Sequence, residues 1–218
     1  MASPKTADLP VPDQRREQML RAAVEVICER GFSDTRIADV AKRTGASPAL
    51  VIYYFGTKDG LLTAAFRYSE DRFYAQTDEV LERLESAAQR LETLVRLTCV
   101  REGDGEDPGA WGLWFDLWAQ AFRHPEVARD RVESDRRWRD TIARVVRDGQ
   151  ETGEFAEVDV ADFAVTFSAL LDGLSIQVAL SDPDVDSDRA ITIAMRFATD
   201  ALSFAWTPPA KRTRAKRR

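Results

Sequence analysis

Apolar residues in this chain recur at spacings of three and four, and that periodicity excludes most folds before any motif is read. From about Asp13, the residues Leu20, Ala23, Val24 and Ile27 fall on one face of a helix. No run of strict polar–apolar alternation bounded by hairpin turns appears, and there is no internal repeat. The pattern predicts an all-α fold. Beyond the N-terminal part it predicts helices near 58–75, 78–101, 109–123, 126–152, 160–180 and 187–206. The breaks are chemically sensible: a Gly- and Asp-rich loop at 103–109, His124 before Pro125, Gly153 as a stop, Asp159 as an N-cap and a turn at 181–184.

The first sixty residues are punctuated more closely. Residues 1–12 hold Pro4, Pro10 and Pro12 and read as a flexible arm. Gly31 ends the first helix, and Phe32 folds back as an apolar contact. Thr35 is placed to cap a short helix that turns Ile37, Val40 and Ala41 inward. Thr44-Gly45-Ala46 breaks that helix. Ser47-Pro48 starts the next in the favoured order, cap hydroxyl first and proline at the first helical position. Two short helices joined by a Gly-containing turn make residues 36–55 a helix-turn-helix candidate.

Composition narrows the chemistry. The 218 residues are 44% hydrophobic and 31% charged, the balance of a chain with a core. Cys28 and Cys99 stand far apart and read as small buried residues of a reducing, cytoplasmic setting. A lone histidine, His124, argues against His-based triads and multi-His metal sites, and no nucleophile–base pair or phosphate-binding Gly loop is present. No catalytic residue, metal site or cofactor is therefore expected. No apolar run reaches a bilayer span, and the N-terminus lacks signal-peptide character, so no membrane partner is expected. The net charge of −6 hides a partition: residues 1–58 carry +2, residues 59–207 carry −14, and residues 208–218 carry +6. Such a distribution fits a chain in which one part alone faces a polyanion.

Residues 31–66, GFSDTRIADVAKRTGASPALVIYYFGTKDGLLTAAF, closely resemble the DNA-binding domain of the TetR family of transcriptional regulators. The matching positions are Gly31, Phe32, Thr35, Ile37, Asp39, Val40, Ala41, Gly45, Ser47, Tyr54, Phe55, Lys58, Leu61 and Leu62. The resemblance implies a DNA-binding domain over 13–73, an effector and dimer domain over 74–206 and a basic tail over 207–218. The tail is either a non-specific DNA contact or simply solvated. In the family's mode the second short helix enters the major groove of a pseudo-palindromic operator. That puts Pro48, Ala49, Leu50, Ile52 and Tyr53 at base edges, with Arg36 beside them. Tyr54 and Lys58 match positions that grip phosphates, and Thr35 and Ser47 offer hydroxyls.

Trp111, Trp114, Phe115, Trp118 and Phe122 form one aromatic helix face, followed by Trp138 and then by Phe163, Phe167 and Leu171. As residues alone, these read either as a plain aromatic core or as a ligand pocket. The downstream segments LWFDLWAQAFRHPE and LLDGLSIQVALSDPD resemble the choline-responsive BetI-like branch, and the family keeps its effector between such helices. An aromatic box suits an organic cation, with Asp116 and Asp172 as possible counter-charges, and equally a neutral aromatic or acyl ligand. Leu170, Leu174 and Val178, with Ile191, Met195, Ala198 and Leu202, mark apolar faces that imply a homodimer. The functional expectation is a repressor released from DNA by a small-molecule effector. A helical carrier or enzyme without operator function, or an activator, is the alternative.

Overall fold

The computed structural model describes residues 12–100, 109–122 and 125–208. Among them lie the helices α1 (Pro12–Arg30), α2 (Ile37–Thr44), α3 (Pro48–Phe55), α4 (Lys58–Glu82), α5 (Ala87–Cys99), α6 (Gly109–Ala121), α7 (Pro125–Glu151), α8 (Val160–Ala179) and α9 (Ser187–Leu202), and no strand. The all-α expectation holds. The arm before Pro12, the loop at 102–107, His124, the Trp111 side chain and the tail beyond Pro208 lie outside the described residues.

Local chemistry sets most helix ends. Gly31, Gly45 and Gly153 take φ of +81°, +62° and +75°, the left-handed region where glycine carries no Cβ penalty. Ser47 Oγ accepts from the Leu50 N–H at 3.2 Å, with Pro48 behind it as the first helical residue. Asp159 caps α8 by accepting from the Ala161 and Asp162 N–H groups at 2.9 and 3.0 Å.

Two ends depart from the sequence reading. Thr35 does not cap α2: it is fully buried and its hydroxyl donates to the Gly31 carbonyl at 2.8 Å. The cap residue is Arg36, whose N–H donates to the Asp39 carboxylate one turn ahead at 3.2 Å. The break expected after residue 75 is also absent, because α4 runs on to Glu82 and turns at residues 83–86. Ser86 then caps α5, and Glu154 lends its carboxylate to the N–H groups of Ala87 and Ala88 at 3.0 and 3.3 Å. Burial pushes the Glu154 carboxyl up, but these donors, the Ser86 hydroxyl and Arg90 outweigh it and leave it below its usual range.

The helices form two compact units that do not follow chain order. In the first, α1, α2, α3 and the start of α4 enclose Met19, Leu20, Ile27, Val40, Val51, Leu61 and Phe66. Helix α6 and the start of α7 add Leu113, Leu117 and Val127 to that same core, although the sequence reading had assigned them to the effector domain. The second unit holds the end of α4, the rest of α7, and α5, α8 and α9. Its core includes Leu91, Leu94, Ile142, Val146, Leu171, Met195 and Leu202.

Helix α8 is long and apolar enough, by length and composition alone, to cross a membrane, which the sequence reading did not anticipate. One face of it is core, with Phe167 and Leu171 fully buried. Cys99 is buried as expected, and burial pushes its thiol up to about 11, whereas Cys28 is only half-buried.

Gly149 in α7 has a packing reason. A Cβ there would sit 2.2 Å from the ring of Phe155, which is itself buried and packed on Phe204 at 4.9 Å. Gly149→Ala gains about 1 kcal/mol of helix propensity but forces overpacking that costs about 1–3 kcal/mol. The net effect is expected to be a lower urea midpoint with an unchanged slope; a raised midpoint would refute this role.

Candidate functional site

The helix-turn-helix is built from the inside out. Val40, Ala41 and Val51 anchor α2 and α3 in the core, and the left-handed Gly45 sets the turn between them. On α3 the outward residues are Pro48, Ala49, Ile52 and Tyr53, the last of these 82% exposed. Tyr53 meets Tyr54 edge-on at 5.5 Å. Leu50 and Tyr54 are half-buried against the core, so both anchor the helix as well as border its surface. Because Ser47 Oγ serves as an acceptor, its own hydrogen is left to donate outward. Arg36 is exposed beside this surface. Thr35 is not part of it, since its hydroxyl is spent inside the α1–α2 turn.

Lys58 opens α4, and its ammonium donates to the Ser33 carbonyl at 2.7 Å, which holds the charge beside the α1–α2 turn. A cation in the first turn of a helix opposes the macrodipole, so this bond gives it a local reason to stay there. The other basic groups nearby are partly neutralised. Arg43 reaches Glu29 at 2.7 Å and Glu25 at 3.5 Å, and Arg30 reaches Asp39 at 3.1 Å. The hydrogen bond from Arg43 holds the Glu29 carboxyl below its ordinary value.

The expected effector residues fall in both units. In the first, the Trp114 ring packs edge-on against Phe66 at 5.1 Å, and Phe115 packs edge-on against Trp118 at 6.0 Å. Phe122 is 92% exposed at the end of α6. Asp116 is not a spare counter-charge: it accepts the Phe32 N–H at 2.7 Å. A Cβ on Gly31 would stand 3.3 Å from that same carboxylate oxygen, so a side chain there would be crowded as well as strained by the left-handed backbone. Sequence reasoning missed this clasp because its partners are 84 residues apart.

In the second unit, Phe163, Phe167 and Leu171 are buried, and both phenylalanines stack with Phe197 at 6.0 Å; these three are core. Trp138 is buried on α7. Asp135 and Asp172 belong to a charged cluster with Arg131 and Arg139, in which Arg131 bonds Asp135 at 2.9 Å. Burial, and then the Asp135 charge, push the Asp172 carboxyl up to about 6 against the opposing pull of Arg131 and Arg139. The dimer-face residues also move. Ile191, Met195, Ala198 and Leu202 are buried in the protomer's own core, as are Leu174 and Val178, while Leu170 is half-buried. The same helices present Val165, Leu180 and Ile193 outward, at 54%, 72% and 36% exposed.

Two short helices joined at a left-handed glycine, the second presenting an exposed, chiefly apolar face, make the arrangement of a helix-turn-helix DNA-binding protein. Comparison with known proteins is specific. Residues 19–65 match the bacterial regulatory proteins of the tetR family, and residues 87–203 match the C-terminal domain of BetI-type transcriptional repressors. The transcriptional regulator BetI of Cronobacter sakazakii is 31% identical over 93% of this chain and 96% of its own. Its counterpart in Escherichia coli K12 is 31% identical over 86% of this chain and 94% of its own. A transcriptional regulator of Saccharomonospora viridis, crystallised in complex with choline, superposes with a TM-score of 0.77 at 28% identity, over 87% of this chain and 98% of that one. The chain belongs to the tetR family of transcriptional regulators, in its BetI-type branch.

Two expectations can be tested, one on the phosphate contact that the family resemblance implies for Lys58 and one on the surroundings of Asp172. Lys58→Ala is expected to weaken operator binding on every sequence and to lower the slope of log affinity against log salt by about 0.9, one phosphate contact. An unchanged slope in salt-titrated gel shifts would remove Lys58 from the phosphate contacts. Asp172 concerns stability. Its folded value lies above that of an unfolded Asp, so its contribution is full below about pH 4 and is lost as pH rises through about 6. Asp172→Asn should therefore melt higher than the parent at about pH 7.5 and show no such gain at about pH 4.

Proposed function

We propose that this protein is a homodimeric repressor that binds a pseudo-palindromic operator and is released from it by a small organic cation. Its place of action is the cytoplasm, and its role is regulatory rather than catalytic. The observation that carries the reading is the exposed outer face of α3, Ala49, Ile52 and Tyr53, on a unit whose relatives are named regulators. That face is chiefly apolar, which suits contact with thymine methyls, and Tyr53 adds a hydroxyl at its tip. Ser47, Pro48, Arg36, Tyr54 and Lys58 flank it as phosphate and backbone contacts.

Support for a dimer comes from the outer faces of α8 and α9. Val165, Leu180 and Ile193 are large apolar residues left to solvent, and a second copy related by a twofold axis would cover them. Such covering accounts for the apolar character of α8 without a membrane. A dimer also sets two reading helices about one turn of DNA apart, roughly 34 Å.

An organic cation is favoured by the chemistry available in each unit. The first offers the aromatic face of α6 at Trp114, Phe115 and Trp118, and the second offers Trp138 with Asp135 and Asp172. Aromatic faces and carboxylates are what recognise a quaternary ammonium. The S. viridis relative crystallised with choline belongs to the same fold at 28% identity. The test uses an operator fragment selected by the full-length protein from random DNA. Two copies per fragment are expected in native mass spectrometry, with release on choline titration. No retarded complex at low salt with any selected pool would overturn the regulator reading, and a complex indifferent to choline would overturn the effector class.

A further inference from the structure

Helix α6 has two faces with different work. Leu113 and Leu117 turn into the core of the first unit, and Asp116 on that side accepts the Phe32 N–H at 2.7 Å, where the chain turns from α1 toward α2. At about 100° per residue, Trp118 lies about 200° around the helix from Asp116 and shares its flank with Phe115. The Trp118 indole N–H is buried and meets no acceptor among the described residues. Buried donors in folded proteins are almost always matched, so this one calls for an acceptor that the described residues do not supply. Its edge-on contact with Phe115 holds the indole in place beside an aromatic surface.

We propose that the Trp118 indole N–H donates a hydrogen bond to an oxygen of the effector. Asp116, on the opposite side of the same helix, is the positioning residue through which that occupancy reaches the α1–α2 turn. The proposal rests on the organic-cation reading above and sharpens it: the effector carries a hydroxyl or carbonyl oxygen near its ammonium. The aromatic rings take the cation and the N–H takes the oxygen. The rigid helix then passes any displacement to Phe32 through the hydrogen bond that Asp116 accepts from its N–H.

Calorimetric titration of the full chain with choline and with ethyltrimethylammonium tests the contact, since the second cation has the same charge and nearly the same size but no oxygen. Choline is expected to bind about five- to tenfold more tightly. Trp118→Phe keeps an aromatic ring without the N–H, and is expected to bring choline down to the level of its analogue. Equal affinities in the parent protein, or a preference for choline that survives in Trp118→Phe, would overturn the proposal. Binding of neither cation would instead overturn the cation reading, and this proposal with it.

The coupling has its own readout. Asp116→Ala should bind choline as the parent does yet lose choline-driven release of the operator. Asp116→Asn, which keeps an acceptor for the Phe32 N–H, should restore release. Release that persists in Asp116→Ala overturns the role of Asp116. If that variant does not fold, the Trp118→Phe comparison alone decides the proposal.

Discussion

The corner between α1 and α2 is tied to α6 by one hydrogen bond, from the Phe32 N–H to the Asp116 carboxylate. Gly31 takes the chain out of α1 in a left-handed turn, and this sends the next N–H away from any partner in its own helix. A charged acceptor at 2.7 Å is among the stronger single contacts available to a backbone N–H. Because Asp116 lies on α6, satisfying this corner requires α6 to be part of the DNA-binding unit, and Leu113 and Leu117 bury it there. The second unit uses the same device. Glu154 crosses 66 to 68 residues of sequence to satisfy the Ala88 and Ala87 N–H groups and the Ser86 hydroxyl at the start of α5. In each unit a carboxylate from far along the chain holds a corner that local sequence leaves open.

Electrostatics on the reading side follows from a shortage of free charge. Residues 1–58 carry only +2, and Arg43 and Arg30 are drawn into pairs with Glu25, Glu29 and Asp39. These exposed pairs add little to stability, but they hold the guanidinium groups along α1 and α2 rather than leaving them to search for phosphates. Affinity for a polyanion then rests on a few placed groups, not on a broad basic surface.

Features written in local chemistry were legible in the sequence. Gly31, Gly45, Ser47-Pro48, Gly153 and Asp159 each mark a helix end where the structure has one, because the cap and the group it satisfies lie within a few residues. The α4–α5 break was misplaced because the start of α5 is secured by Glu154, 66 to 68 residues further along the chain. The role of Asp116 was hidden for the same reason. The apolar residues of α8 and α9 that the sequence offered as a dimer face are mostly buried in the protomer, for a different reason. Both helices are apolar over broad arcs, and periodicity finds an apolar arc without saying which part of it the protomer keeps. Met195 and Leu202 went inside, and Val165 and Leu180 stayed out.

Helices with two committed faces therefore explain how so regular a fold can carry a signal. On α8 one face is spent on the core and the other is left apolar at the surface. On α6 one face is locked to the α1–α2 turn and the other holds an aromatic pair whose indole N–H meets no acceptor among the described residues. A ligand shifts a conformational equilibrium only by binding one state better than another, so it must act on a part that the two states hold differently. A flexible loop would absorb the difference. A short helix fixed by a charged hydrogen bond passes the difference on to Phe32 and so to the turn that precedes α2 and α3. The coupling needs no long chain of contacts, because the residue that holds the turn and the residue that lacks an acceptor are two positions apart on one helix.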